Sequence, residues 1–223
     1  MDGVLAARIR DAVSPERLQP YLDALPGDLV AAHRLYAWNI EVSAAFYGPL
    51  HWLEVILRNA MHRQLTELFG RPDWWTTTRV NLHPNALRDL TVAKGKLRDR
   101  HKPVTPGRIV AELPFSFWVG LLGKGRDYEQ QLWRPQLHLA FPRYHGMRSP
   151  LHHDLDAMRL LRNRIAHYEP IHRRHLAADY DTIMRLIGYI SADVAEHVGS
   201  LDRVPTVLAR RNQTCNGSVP SSL

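Results

Sequence analysis

Arg162 and His167 stand five positions apart in the run Arg162-Asn163-Arg164-Ile165-Ala166-His167, with an amide directly after the first arginine and Tyr168-Glu169-Pro170 following. Opening an RNA phosphodiester without a metal requires a base for the ribose 2′-hydroxyl, an acid for the departing 5′-oxygen and fixed positive charge over the pentacovalent phosphorane. Imidazole, with an ordinary pKa near ~6.5, exchanges protons at neutral pH, and in that role it is typically worth about 10²–10⁴ in rate. Guanidinium stays charged and grips phosphate through two parallel N–H bonds, so it stabilises charge that grows only in the transition state. Asn163 is placed to orient His167 or the phosphate. The same residues also suit the carbonyl end of a helix dipole without any catalysis, and an R-x4-H spacing is short enough to arise by accident.

Positioning these groups falls to a helix. Leu151, Leu155, Met158, Leu161 and Ile165 mark one apolar face, Ser149-Pro150 reads as its start, and Pro170 drives Glu169 out of α geometry. His167 is therefore expected in the last turn. Asn163 and His167, four apart, share a stripe with Arg159 one turn earlier, while Arg162 lies about 140° round from His167. All of them sit off the apolar face and must look toward solvent, a cleft or a second subunit.

The rest of the chain reads as helices and irregular connections. Ser14-Pro15 and Thr105-Pro106 mark two further helix starts. Between residues 49 and 70 the apolar positions are too many for one exposed stripe, which predicts a largely buried helix. Residues 28–47 repeat at the same spacing, and the two are expected to pair as a helical hairpin. Residues 109–122 predict two short core helices interrupted by Pro114, and residues 133–149, with Pro135, Pro142 and Gly146, predict an irregular lead into the motif helix. Leu176, Tyr180, Ile183, Ile187, Ile190, Val194 and Val198 define one long amphipathic helix closed by Gly199-Ser200. Residues 206–211 add a turn or two, and residues 212–223 have the composition of a disordered end. No alternating strand pattern and no fixed-period repeat occurs. The expected architecture is all-α, a helical bundle with irregular connecting segments, in one domain over residues 1–200 followed by a short, basic, flexible tail over residues 201–223.

Composition narrows the functional classes. Lys and Arg outnumber Asp and Glu by 29 to 22, a formal +7 beside 13 histidines, so clustered cations would attract a polyanion. The lone Cys215 excludes an intramolecular disulfide and a cysteine-rich zinc site. No stretch approaches the about 18 consecutive apolar residues of a membrane span, and the first residues are too polar for a secretory signal. A cytoplasmic protein without membrane contact is expected.

Other polar clusters are weaker candidates. Glu54 and Arg58 are spaced for an i, i+4 ion pair and, with Asn59 and His62, form a second polar group on an apolar helix, either a structural pair or support for the motif. Arg173 and Arg174 follow the motif closely enough to hold flanking phosphates, and a solvated basic loop accounts for them equally well. His152-His153 and His172 to His175 lack the spacing of recognised metal ligands, and Gly123-Lys124-Gly125 lacks that of a phosphate loop. Neither a metal nor a cofactor is expected. The six tryptophans are more simply core than stacking platforms.

The order of short blocks carries a resemblance. Arg162-Asn163-Arg164-Ile165-Ala166-His167 with Tyr168-Glu169-Pro170 resembles the R-x4-6-H signature of the HEPN superfamily, and in particular its Abi-like branch of bacterial abortive-infection proteins. Leu53-Glu54-Val55-Ile56-Leu57-Arg58-Asn59-Ala60 resembles that branch's "LE…LRNA" helix, Phe69-Gly70 with Trp74-Trp75 its "FG…W" end, and Glu112-Leu113-Pro114-Phe115-Ser116-Phe117-Trp118 its "EL-F-FW" segment, with Ser116 a departure. The likeness spans residues 30–195. It implies a HEPN-like bundle and a metal-independent endoribonuclease that works as a homodimer on RNA in a toxin or antiviral defence role, with an antitoxin protein as a possible partner. Arg162 and His167 carry over as catalytic residues, Asn163 as the polar residue after the arginine. Some members of the superfamily have lost cleavage and only bind RNA, a nucleotide or a protein, which is the competing expectation.

Overall fold

The computed structural model describes residues 3–222, and among them there is no strand. Eleven α-helices follow in order: α1 (Gly3–Val13), α2 (Pro15–Leu22), α3 (Leu29–Phe69), α4 (Pro84–Asp99), α5 (Pro106–Glu112), α6 (Phe115–Gly120), α7 (Arg148–Ala166), α8 (Leu176–Ile190), α9 (Ala192–Leu201), α10 (Val204–Ala209) and α11 (Arg211–Asn216). The all-α expectation holds. Contacts divide the chain into two compact units, one of residues 1–49, 161–181 and 200–223, the other of residues 50–160 and 182–199.

The first unit gathers α1, α2, the start of α3, the end of α7, the start of α8 and both C-terminal helices. Ala6, Leu18, Tyr21, Ala32, Trp38, Val42, Phe46, Leu161, Ile171 and Val204 are fully buried in it. Several of its buried polar groups find partners, as removal from water favours, while both ring nitrogens of His172 and the Tyr21 hydroxyl do not. The Trp38 indole donates to the Val207 carbonyl at 3.1 Å, and the Arg211 guanidinium lies 5.0 Å from that ring's centre. Glu41, fully buried, accepts from Arg210, and His33 bonds the Ala6 carbonyl at 2.8 Å. Residues 212–216, which composition places in a disordered end, belong to α11, with Thr214 buried.

The second unit is built on the later half of α3. Leu53, Leu57, Met61 and Leu65 are fully buried there, beside an aromatic group in which Trp74 meets Trp75 at 5.3 Å and Phe117 meets Trp118 at 5.0 Å, both edge to face. His62 accepts from the Trp74 indole at 3.2 Å. The predicted pair of short helices around Pro114 is α5 and α6. The irregular connection between α6 and α7 contains one π-helical turn, Glu129–Trp133, and two 3-10 turns, Gly125–Asp127 and Leu137–Ala140. Arg148 fastens this connection: its Nε donates to Glu129 at 2.7 Å and its Nη1 to the Gly123 carbonyl at 2.6 Å and to the Leu122 carbonyl.

Two helix boundaries differ from expectation. Residues 29–69 are one continuous helix with Pro49 inside it, not a hairpin. Conversely, the long helix expected over 176–198 is interrupted at Ser191 and continues as α9. No helix among the described residues is long and apolar enough to cross a membrane.

Candidate active site at the end of the motif helix

Ala166 is the last helical residue of α7, and His167 caps its last turn, its N–H still bonded to the Asn163 carbonyl at 3.0 Å. The Glu169 N–H reaches back to the Arg164 carbonyl at 2.8 Å and the Tyr168 N–H to the Ile165 carbonyl at 3.1 Å. This pair of bonds is the Schellman closure, which puts the residue after the cap in a left-handed conformation. That residue is normally glycine. Here it is Tyr168, at φ 58, although the side chain is 80 % exposed and gains little by packing. The turn is pinned from outside the helix, because Arg17 Nη1 donates to the Tyr168 carbonyl at 2.7 Å.

Arg162 and His167 are exposed and Asn163 is half-buried, all three in the first unit. No side-chain hydrogen bond or ion pair among the described residues holds the His167 imidazole. Among the other histidines, His33, His83, His138 and His175 each bond a backbone group and His62 a tryptophan, whereas neither ring nitrogen of buried His172 has a partner. Arg164, between the two motif residues, lies 3.6 Å from Glu169 and donates to the Pro170 carbonyl at 3.1 Å, so it stiffens the turn.

The remaining candidates have structural partners. Arg174 makes two 2.8 Å bonds to Asp179, and Arg173 donates to the Pro20 carbonyl at 2.8 Å with Asp23 at 3.8 Å. Arg159, in the second unit, pairs with Asp156 at 2.7 Å. Arg58, in the same unit, turns Nη1 to the Ala111 carbonyl at 3.3 Å.

Beside Tyr168 lies a cavity of about 520 Å³ within the first unit. Its apolar wall comes from Val13, Tyr36, Ile40 and Ile165, and its polar groups are Arg17, Asn39 and Ser43. Buried Asn39 accepts from the Ile171 and His172 N–H groups at 2.8 and 3.1 Å, which fixes the loop that follows the motif. The sequence reading gave Ile165, Tyr36 and Ile40 to apolar helix faces and assigned no site role to Arg17, Asn39 or Ser43. The available signals were an asparagine in the apolar run Trp38-Asn39-Ile40 and a tyrosine where a helix end favours glycine. Compared with protein-family models, curated proteins and solved structures, the chain matches none.

Proposed function

We propose that the chain is a metal-independent endoribonuclease of HEPN type, acting as a homodimer in a toxin or phage-defence role. The observation that carries this reading is the uncommitted, exposed His167 imidazole on a pinned turn at the end of the helix that presents Arg162. His167 takes the proton of a ribose 2′-hydroxyl as that oxygen attacks phosphorus. The guanidinium of Arg162 stabilises the phosphorane. The 5′-oxygen leaves with a proton from a protonated imidazole, leaving a 2′,3′-cyclic phosphate and a 5′-hydroxyl. One motif helix supplies one such imidazole, and a twofold pair supplies both.

Purified protein incubated with total RNA in EDTA is expected to yield fragments ending in 2′,3′-cyclic phosphate. His167→Ala should lower the rate by about 10²–10⁴-fold, and Arg162→Ala by about 10²–10³-fold, in line with the loss of a transition-state charge partner. RNA left intact over a wide range of protein concentration would defeat the proposal. The cavity beside Tyr168 favours a second reading under that outcome, a noncatalytic module that binds RNA or a nucleotide.

A further inference from the structure

We propose that the cavity beside Tyr168 is a subsite for an unpaired nucleobase adjacent to the scissile phosphate, with the Tyr168 ring as its stacking face. The inference rests on reading Arg162 and His167 as a phosphodiester site, and it adds what that site holds. Three observations converge on it. The first is the side chain chosen at residue 168. A left-handed position closing a helix is the place where glycine is free of strain and a β-carbon is not, yet a large aromatic stands there, 80 % exposed and immediately after the motif histidine. Neither local backbone preference nor packing accounts for a tyrosine, whereas an aromatic plane available to a ligand does.

The second observation is the shape and rigidity of the hollow. At about 520 Å³ it has the size of small-molecule sites in general and admits a purine or a pyrimidine. Its wall does not collapse easily, because Tyr36 packs edge-on against buried Tyr21 at 5.2 Å and Tyr21 in turn lies against buried His172 at 4.7 Å.

The third is the hydrogen-bonding character of the lining. Asn39 spends its oxygen on the two backbone N–H groups of Ile171 and His172, so its NH2 donors are what remain. Arg17 spends one N–H on the Tyr168 carbonyl and keeps others. Ser43 adds a hydroxyl. A lining that combines apolar area with donors suits a flat heterocycle whose edge is rich in acceptors, which is how unpaired RNA bases are held: stacked on an aromatic and bonded along an edge. Double-stranded RNA, whose bases are already stacked and paired, cannot enter.

The test titrates the 3′-monophosphates of adenosine, guanosine, cytidine and uridine into the 223-residue chain carrying His167→Ala, with ribose 5-phosphate as the baseless control, by NMR. At least one nucleotide is expected to bind ten times more tightly than ribose 5-phosphate. Tyr168→Gly, which suits the turn and so folds, should weaken that binding five- to hundredfold, the range for losing one base–aromatic stack. Tyr168→Phe should restore it to within threefold. In the protein with His167 intact, Tyr168→Gly should raise KM for single-stranded RNA more than it lowers kcat. Nucleotides that bind no better than ribose 5-phosphate, or binding and KM indifferent to Tyr168→Gly, overturn the subsite, and RNA cleavage in EDTA would then stand without it. Tyr168-dependent nucleotide binding by a protein that cleaves nothing would instead retain the subsite and remove the nuclease.

Discussion

At the scale of the residue, His167 and Tyr168 illustrate how one turn can serve two demands that pull against each other. Closing α7 by the Schellman bonds asks for glycine at residue 168, and the β-carbon of a tyrosine at φ 58 costs about 1 kcal/mol relative to that ideal. Because the ring is 80 % exposed, removing it gives up little buried area. Tyr168→Gly is therefore expected to stabilise the protein by about 0.5–1 kcal/mol, a rise of about 1–3 °C in Tm for a chain of this size. Thermal unfolding followed by circular dichroism checks this. A lower Tm would mean that the ring is held by contacts, and the strain argument for a ligand-facing tyrosine would fail with it. Arg17→Ala makes the complementary point. It removes the N–H that pins the Tyr168 carbonyl, and amide hydrogen exchange at Tyr168 and Glu169 should quicken severalfold while that of Leu161 stays slow.

At the scale of the element, what the sequence made legible and what it hid have physical causes. The stripe Leu151, Leu155, Met158, Leu161 was readable because three of its positions bury completely and Met158 nearly so, leaving an unambiguous 3.6-residue period. Pro49 misled because proline ordinarily ends a helix; here one missing N–H and one crowded carbonyl, about 3 kcal/mol, are outweighed by burial of Phe46, Leu50 and Leu53 on the same helix. Ser191 misled in the opposite sense. Its apolar neighbours keep helical spacing, but its hydroxyl accepts from the Val194 N–H at 3.3 Å and starts a new helix, a local competition that periodicity does not register. For the candidate site the motif itself was visible, since its chemistry resides in residue types five positions apart. Asn39 and Arg17 were not, because they come from α3 and α2, far away in sequence, and only folding brings them to the loop after the motif. Asn39 carries a prediction of its own. Asn39→Ala leaves two buried N–H groups without an acceptor, at about 1–3 kcal/mol each, so urea unfolding should show a loss of about 2–4 kcal/mol. Ile40→Ala next to it, at a position 39 % exposed, should cost under about 1.5 kcal/mol. Equal losses would deny that Asn39 organises the loop.

At the scale of the whole molecule, the clearest consequence is the way its stability depends on pH. His172 is 2 % exposed, stacked on Tyr21 at 4.7 Å, and neither ring nitrogen has a well-formed hydrogen bond. Burial above all, then the positive charges of Arg173 and Arg211, holds its pKa down to about 4, with the Pro20 carbonyl the one opposing influence. Protonation is thus disfavoured in the folded chain and ordinary in the unfolded one, where the imidazole titrates near ~6.5. Above that pH both states carry neutral imidazole and the group contributes no pH dependence. As pH falls from about 6.5 toward 4 the unfolded chain binds the proton and the folded chain does not, so stability declines by up to about 3 kcal/mol, the free-energy equivalent of the displaced pKa. His62 and His152, also lowered chiefly by burial, act in the same direction. Carboxylates held low by arginine, Asp73 by Arg71 and Glu129 by Arg148, lose their contribution only at more acidic pH, as each passes below the usual carboxylate range. The two regimes are separable by substitution. His172→Phe keeps an aromatic ring against Tyr21 but carries no titrating nitrogen, so its unfolding free energy, measured in urea at intervals from pH 7.5 to 4.5, should change with a distinctly shallower slope than that of the parent chain, whatever the offset between the two curves. Parallel curves would show that His172 takes up its proton alike in the folded and unfolded chain, and the buried neutral imidazole behind the Tyr21–Tyr36 wall would have to be redrawn.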